Sequence, residues 1–238
     1  MPRTDALLLD LDGTLLDHAE VDLAIRGTAE AIVAFRPSLD LDTVLTVTAL
    51  SRAEHWAVLQ TDWNSGAIDD PAYGLLSWGR ILTELDIHDE AFLGRLTSTW
   101  YDLAAAHQHP YADVNEFLER ATDAGARLAI VTNGPPLAQR AKLARVGIRE
   151  PIDAVVVSGE VGSAKPDPAI FRHALDLLES TPDAAWHVGD MLDTDVVGAR
   201  NAGIRSVWLN RGGARNHLPG VVPDREVRSL AELGDWWA

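Results

Sequence analysis

The chain has 238 residues, 47% apolar and 24% charged, which is ordinary globular composition with enough apolar side chains to build a core. Its formal net charge of -16 argues against nucleic-acid partners and anionic membrane surfaces, since both need a positive field. Cysteine is absent, which removes disulfides, thiolate nucleophiles and cysteine-based zinc sites.

No apolar run approaches the roughly 18 residues of a membrane span, and no signal-peptide pattern precedes Asp5. A soluble cytoplasmic protein is the expectation. Arginine outnumbers lysine 18 to 2, so Lys142 and Lys165 are informative.

The first element is Ala6–Leu9, a short apolar run that reads as a buried parallel strand. It leads directly into Asp10-Leu11-Asp12-Gly13-Thr14. A long stretch without a convincing strand follows, in which Val21–Phe35, Leu41–Gln60, Pro71–Leu85 and Asp89–His107 read as helices. Leu75, Trp78, Ile81, Leu82 and Leu85 recur at helical spacing. Trp56 and Trp78 fit a helical core, and Trp63-Asn64-Ser65-Gly66 reads as a loop. This stretch is too long for an ordinary crossover, so it reads as a helical insert.

The return linker is His107–Tyr111, followed by a helix over Asp113–Ala124 that stops at Gly125. Arg127–Val131 is the second strand and ends in Thr132-Asn133-Gly134. A helix over Leu137–Val146 carries Lys142 on what reads as a solvated face. Ala154–Val157 is the third strand, and Ser163-Ala164-Lys165-Pro166 lies beyond it. The helix Pro168–Leu178 has Asp167 as its N-cap and proline in its first turn. Ala185–Val188 is the fourth strand, ending in Gly189-Asp190. A helix over Asp193–Ala202 and a fifth strand, Ser206–Leu209, complete the pattern. Alternation of this kind implies an α/β fold, a doubly wound parallel sheet with an inserted α-helical domain. The expected division is a core of residues 1–16 and 107–238 and a helical insert of 17–106, with Leu15-Leu16-Asp17 as the hinge.

Ligands bind such sheets outside the carboxyl ends of the strands. Asp10 and Asp12, two apart in an extended segment, face one side, and Asp190 arrives from a neighbouring strand. Like charges this close repel, and a divalent cation held by oxygen ligands removes the conflict; Mg²⁺ fits. Thr132 and Asn133 offer hydroxyl and amide donors suited to phosphate oxygens. Lys165 supplies a point charge with three donors.

DLDGT at 10–14, VTNG at 131–134, AKPDP at 164–168 and GDMLDTD at 189–195 resemble, in order and spacing, the four motifs of the haloacid dehalogenase-like hydrolase superfamily. The insert is similar to the helical cap that the first subclass of this family places after its first strand. The resemblance implies a Mg²⁺-dependent phosphomonoester hydrolase acting on a small phosphorylated metabolite, as a monomer or homodimer. It implies Asp10 as the nucleophile that forms an aspartyl-phosphate, and Asp12 as general acid and then base. The Asp10 side chain, the Asp12 carbonyl and the Asp190 side chain would hold Mg²⁺, with Asp195 on the metal's waters and Asp193 as a competitor for that role. Thr132 would bind the phosphoryl group, helped by the Asn133 and Gly13 backbones, and Lys165 would neutralise charge beside Asp10.

Family members that displace halide resemble a pattern with no acid at position 12, so Asp12 points to phosphate esters. Phosphomutase, dehalogenase and non-catalytic binding module are the alternatives. Specificity is expected from Arg52, His55, Trp56, Trp63 and Arg80 of the insert, with Trp63 facing the cleft and Arg80 meeting a second anionic group.

Overall fold

In β1, Ala6–Leu9, every side chain is buried. A strand covered on both faces has no solvent side, which is why it reads as an unbroken apolar run. A computed structural model describes residues 5–17, 19–148 and 151–234. Beside β1 it places β2 (Arg127–Thr132), β3 (Ala154–Val157), β4 (Ala185–Gly189), β5 (Arg205–Leu209) and β6 (Arg225–Val227). The sheet is parallel throughout, in the order β3-β2-β1-β4-β5-β6. This is the doubly wound arrangement, and its strand order reverses between β1 and β4.

Leu9 stands level with Ile130 of β2 and Val188 of β4. The Asp10 amide donates to the Val188 carbonyl at 2.9 Å, so the first carboxylate leaves the sheet in register with both neighbours. Leu7 and Leu9 pack with Phe117 and Leu118 of helix α5 (Val114–Asp123), among others. Leu8 packs on the opposite face, in the cluster of Ile170 and Phe171 of α8 (Pro168–Leu177) and Ala199 of α9 (Val197–Ala202). Between these lie α6 (Pro136–Arg145) and the single turn α7 (Ser158–Val161).

Two differences between the sequence reading and the structure bear on the sheet and the site. That reading misses β6, an edge strand of three residues in which only Val227 is buried, too short and polar for an apolar signature. It also extends one helix over Asp193–Ala202, where the chain forms a π-helical turn at Leu192–Val196 before α9. The Met191 carbonyl accepts from both Asp195 and Val196, which turns Asp195 inward.

The chain divides into two units, Met1–Asp17 with His109–Ala238, and His18–Gln108. The entering and leaving segments are tied within the first unit. Asp17 N donates to His109 O at 3.1 Å, and Tyr111 N donates to Leu15 O at 3.0 Å.

The second unit consists of α1 (Ala19–Phe35), α2 (Leu41–Asn64), α3 (Asp70–Glu84) and α4 (Glu90–Ala106) around Ile32, Val44, Trp78, Ile81 and Leu96. Asp40, Asp69 and Asp89 accept from the amides of Thr43, Ala72 and Phe92, capping α2, α3 and α4. Two expectations are corrected here. Trp63 and Asn64 lie in the last turn of α2 rather than a loop, because the chain breaks only at Gly66, which takes φ 74°. Trp78 is fully buried, but Trp56 is 39% exposed. The inward stripe of α2 runs through Val44, Thr48 and Ser51, and Trp56 falls beside it, edge-on to Trp63 and Tyr73. No described helix is long and apolar enough to cross a membrane.

Candidate active site

The strand ends deliver the charged groups. Asp10 follows β1, Asp190 follows β4, and Asp195 comes from the π-helical turn. One carboxylate oxygen from each lies within 4.8 Å of one from each of the others. Lys165 Nζ sits among them, donating to Asp10 Oδ1 at 2.5 Å and to Asp195 Oδ1 at 2.7 Å. The Lys165 side chain is only 3% exposed. Thr14 Oγ1 lies 3.5 Å from Asp10 Oδ2 and 3.4 Å from Asp190 Oδ1.

The loop carrying Lys165 is pinned by Asn133. The Asn133 amide donates to Lys165 O at 3.0 Å, and its oxygen accepts from Lys165 N at 2.8 Å. The Asn133 side chain is therefore a brace for the loop that carries Lys165. Asp195 is held further by His187 Nε2 at 2.9 Å and by the Met191 amide at 3.0 Å. His187, fully buried in β4 with its ring edge-on to Phe171, has no sequence signal beyond a histidine inside an apolar run. Asp193 is exposed, and Asp195 is the acid in the cluster.

Burial pushes the Asp10 carboxyl up, against the pull of Lys165. Burial also raises Asp190, reinforced by the charges of Asp10 and Asp195, to about 8. Asp195 goes the other way: burial opposes its charge, but Lys165 and His187 hold it well below the usual carboxylate range. Burial would lower Lys165, and Asp10 and Asp195 outweigh that to keep it firmly protonated. One buried ammonium thus faces three carboxylates, a surplus of acid that shows in the raised pKa of Asp190. This surplus and the all-oxygen donor set fit a hard divalent cation such as Mg²⁺.

Gly13 makes the turn between the acids with φ 82°, and a Cβ there would come within 2.5 Å of Asp190 Oδ2. Gly13→Ala is expected to cost about 1–2 kcal/mol from left-handed strain alone, with Asp190 displaced as well. Urea unfolding of the variant measures it, and an unchanged midpoint would contradict the constraint.

Asp12 stands slightly apart. Lys142 Nζ donates to both of its carboxylate oxygens at 2.9 Å, and Gln139 Nε2 donates to Oδ2 at 2.9 Å. The same Gln139 nitrogen reaches Thr132 Oγ1 at 2.5 Å and Asn133 O at 3.1 Å. The expectation of a solvated Lys142 is corrected: its side chain is 17% exposed and paired. Helix α6 starts directly after the Gly134-Pro135 turn, so residues 139 and 142, one turn apart, face back over the end of β2. Gln139 has no sequence signal, being a glutamine in a polar helix.

In the helical unit, the two singled-out residues are engaged locally. Arg80 pairs with Glu54 at 2.7 Å and Glu84 at 3.0 Å. Trp63 Nε1 donates to Asp70 Oδ1 at 3.2 Å. Arg52 instead lies over the Trp100 ring at 4.8 Å, its guanidinium pKa lowered by burial. His55 Nδ1 lies 3.4 Å from Ser77 Oγ.

The fold and site define an α/β enzyme whose acidic centre lies at the carboxyl edge of a doubly wound sheet. Residues 4–203 match the model of the haloacid dehalogenase-like hydrolases, and the chain belongs to that family. It is 31% identical over 234 residues to a glyceraldehyde 3-phosphate phosphatase of Methanopyrus kandleri, covering 97% of this chain and 95% of that protein. It is 44% identical over 123 residues to a phosphoserine phosphatase of Thermus thermophilus, a match spanning 52% of this chain and about half, 49%, of that relative. A HAD phosphatase from Thermococcus onnurineus superposes with a TM-score of 0.69 at 27% identity, covering 98% of this chain and 97% of that one.

Proposed function

We propose that the protein is a Mg²⁺-dependent phosphomonoesterase that hydrolyses a small phosphorylated metabolite through an aspartyl-phosphate. The observation that carries this reading is the convergence of Asp10, Lys165, Asp190 and Asp195 at the ends of β1 and β4, with Asp12 and Thr132 alongside. The phosphatase names of the relatives support it.

Lys165 holds Asp10 Oδ1, which leaves Oδ2 to attack phosphorus. The Oδ2–phosphorus bond forms as the ester bond breaks, and Asp12 donates its proton to the departing alkoxide. Asp12 then takes a proton from the water that attacks the phosphoryl group, releasing inorganic phosphate and restoring Asp10. Thr132 orients the phosphoryl oxygens, assisted by the backbones of Gly13 and Asn133. Asp195 keeps Lys165 charged and in place through its contact at 2.7 Å. Mg²⁺, held by Asp10, the Asp12 carbonyl and Asp190 with Asp195 behind them, would neutralise the charge developing on the phosphoryl oxygens.

The two relatives act, by name, on different small phosphorylated metabolites, and this reading goes no finer than that class. The test uses p-nitrophenyl phosphate. Turnover is expected with Mg²⁺, should fall by about a hundredfold or more in excess EDTA, and should return when Mg²⁺ is restored. Turnover indifferent to EDTA would overturn the metal assignment. Release of chloride from 2-chloropropionate would favour a dehalogenase instead, and phosphoryl transfer without release of inorganic phosphate would favour a mutase.

A further inference from the structure

The side chain assigned to proton transfer is fastened at both oxygens. Lys142 takes Asp12 Oδ1 and Oδ2 at the same 2.9 Å, and Gln139 adds a third bond to Oδ2. The chain has only two lysines, and the other, Lys165, is fully engaged with Asp10 and Asp195. Both lysines of the chain thus bond carboxylates of this site. Gln139 also ties Asp12 to Thr132, because one amide nitrogen lies within bonding distance of both. The acid/base candidate and the phosphate-binding hydroxyl therefore share a single anchor on α6.

We infer that Lys142 and Gln139 are positioning residues for Asp12. They hold its carboxyl group at the end of β2, linked to Thr132 through Gln139, against the repulsion of the Asp10, Asp190 and Asp195 carboxylates. Without Lys142, a side chain that is already 26% exposed loses the ammonium that bridges both of its oxygens. The inference rests on the phosphomonoesterase reading, since a positioned acid matters only if Asp12 protonates a leaving group.

The experiment compares two esters of nearly the same shape, p-nitrophenyl phosphate and phenyl phosphate. The first departs as a stable anion and needs little protonation. The second departs as phenolate, with a conjugate acid pKa of about 10 like that of tyrosine, and needs it. The value of kcat/KM reports only the steps through phosphorylation of Asp10, so it isolates the acid role. Lys142→Met is expected to lower kcat/KM for phenyl phosphate about tenfold more than for p-nitrophenyl phosphate. Lys142→Arg, which keeps a cation able to bridge both oxygens, should recover most of that difference. In an Asp12→Asn background, adding Lys142→Met should change the ratio between the two esters by less than about twofold.

Equal losses on both esters, or a selective loss that persists without Asp12, would overturn the inference while leaving the phosphatase reading intact. A wild-type protein that hydrolyses neither ester would overturn that reading, and the inference with it.

Discussion

Asp10→Asn is expected to lower turnover of p-nitrophenyl phosphate by on the order of 10⁴-fold or more, the scale of removing a nucleophile, while leaving the protein folded. The two halves of this expectation come from the same contacts. An amide cannot form the acyl-phosphate bond, so chemistry stops. The fold tolerates the exchange because Lys165 keeps Asp195 at 2.7 Å and the amide oxygen can still accept from the ammonium. Burial already works against the Asp10 charge, and a neutral isostere relieves part of the crowding with Asp190 and Asp195. Steady-state rates and a thermal melt on one preparation read both halves. A variant with near wild-type turnover would remove Asp10 from its role, and an unfolded one would remove the claim that Lys165 and Asp195 sustain each other.

The second large effect belongs to Lys165→Met, and it reverses that balance. The substitution roughly preserves length and apolar stem but leaves Asp10, Asp190 and Asp195 with no ammonium among them. Breaking a buried pair from one side costs about 3–5 kcal/mol. In a chain of this length that corresponds to a fall in melting temperature on the order of 10 °C, with catalysis lost as well. Saturating Mg²⁺ should restore part of the stability, since a ligand at a hundred times its dissociation constant contributes about 2.7 kcal/mol. A melting temperature unchanged by the substitution would show that the three acids do not depend on Lys165.

These two residues illustrate what could be read in advance. Asp10 and Lys165 announce themselves, one by ending an apolar strand and the other as a rare lysine in a chain of arginines. Strands β1 to β5 were legible for a related reason: each is covered on both faces, so Leu7-Leu8-Leu9 or Val155-Val156-Val157 stands out as a block. β6 was not legible, because an edge strand needs only Val227 inside.

The supporting groups around the site escaped notice for physical reasons too. Lys142 and Gln139 reach Asp12 only because α6 begins at one particular turn after β2, and helix spacing alone does not say which face looks inward. His187 occupies an apolar strand position, where burial rather than pattern decides what it touches. The pairing of Arg80 with Glu54 joins two helices, and such pairings follow from packing rather than from local sequence.

The central place of β1 in the sheet has a consequence during synthesis. Ala6 pairs with Arg127 on one side and with Ala185 on the other. At 5–20 residues per second the ribosome needs on the order of ten seconds after β1 emerges to deliver the first of these partners. The second comes later still. For that interval a strand whose four side chains are all destined for the interior, with Asp10 at its tip, lacks these two neighbours. Contacts this distant along the chain make for slow folding and a window in which aggregation competes. Hydrolytic activity is therefore a property of the finished chain alone. A fragment ending before β4 lacks Asp190 and Asp195 together with one whole flank of β1, so return of activity on refolding serves as a gauge of the last long-range pairing to close.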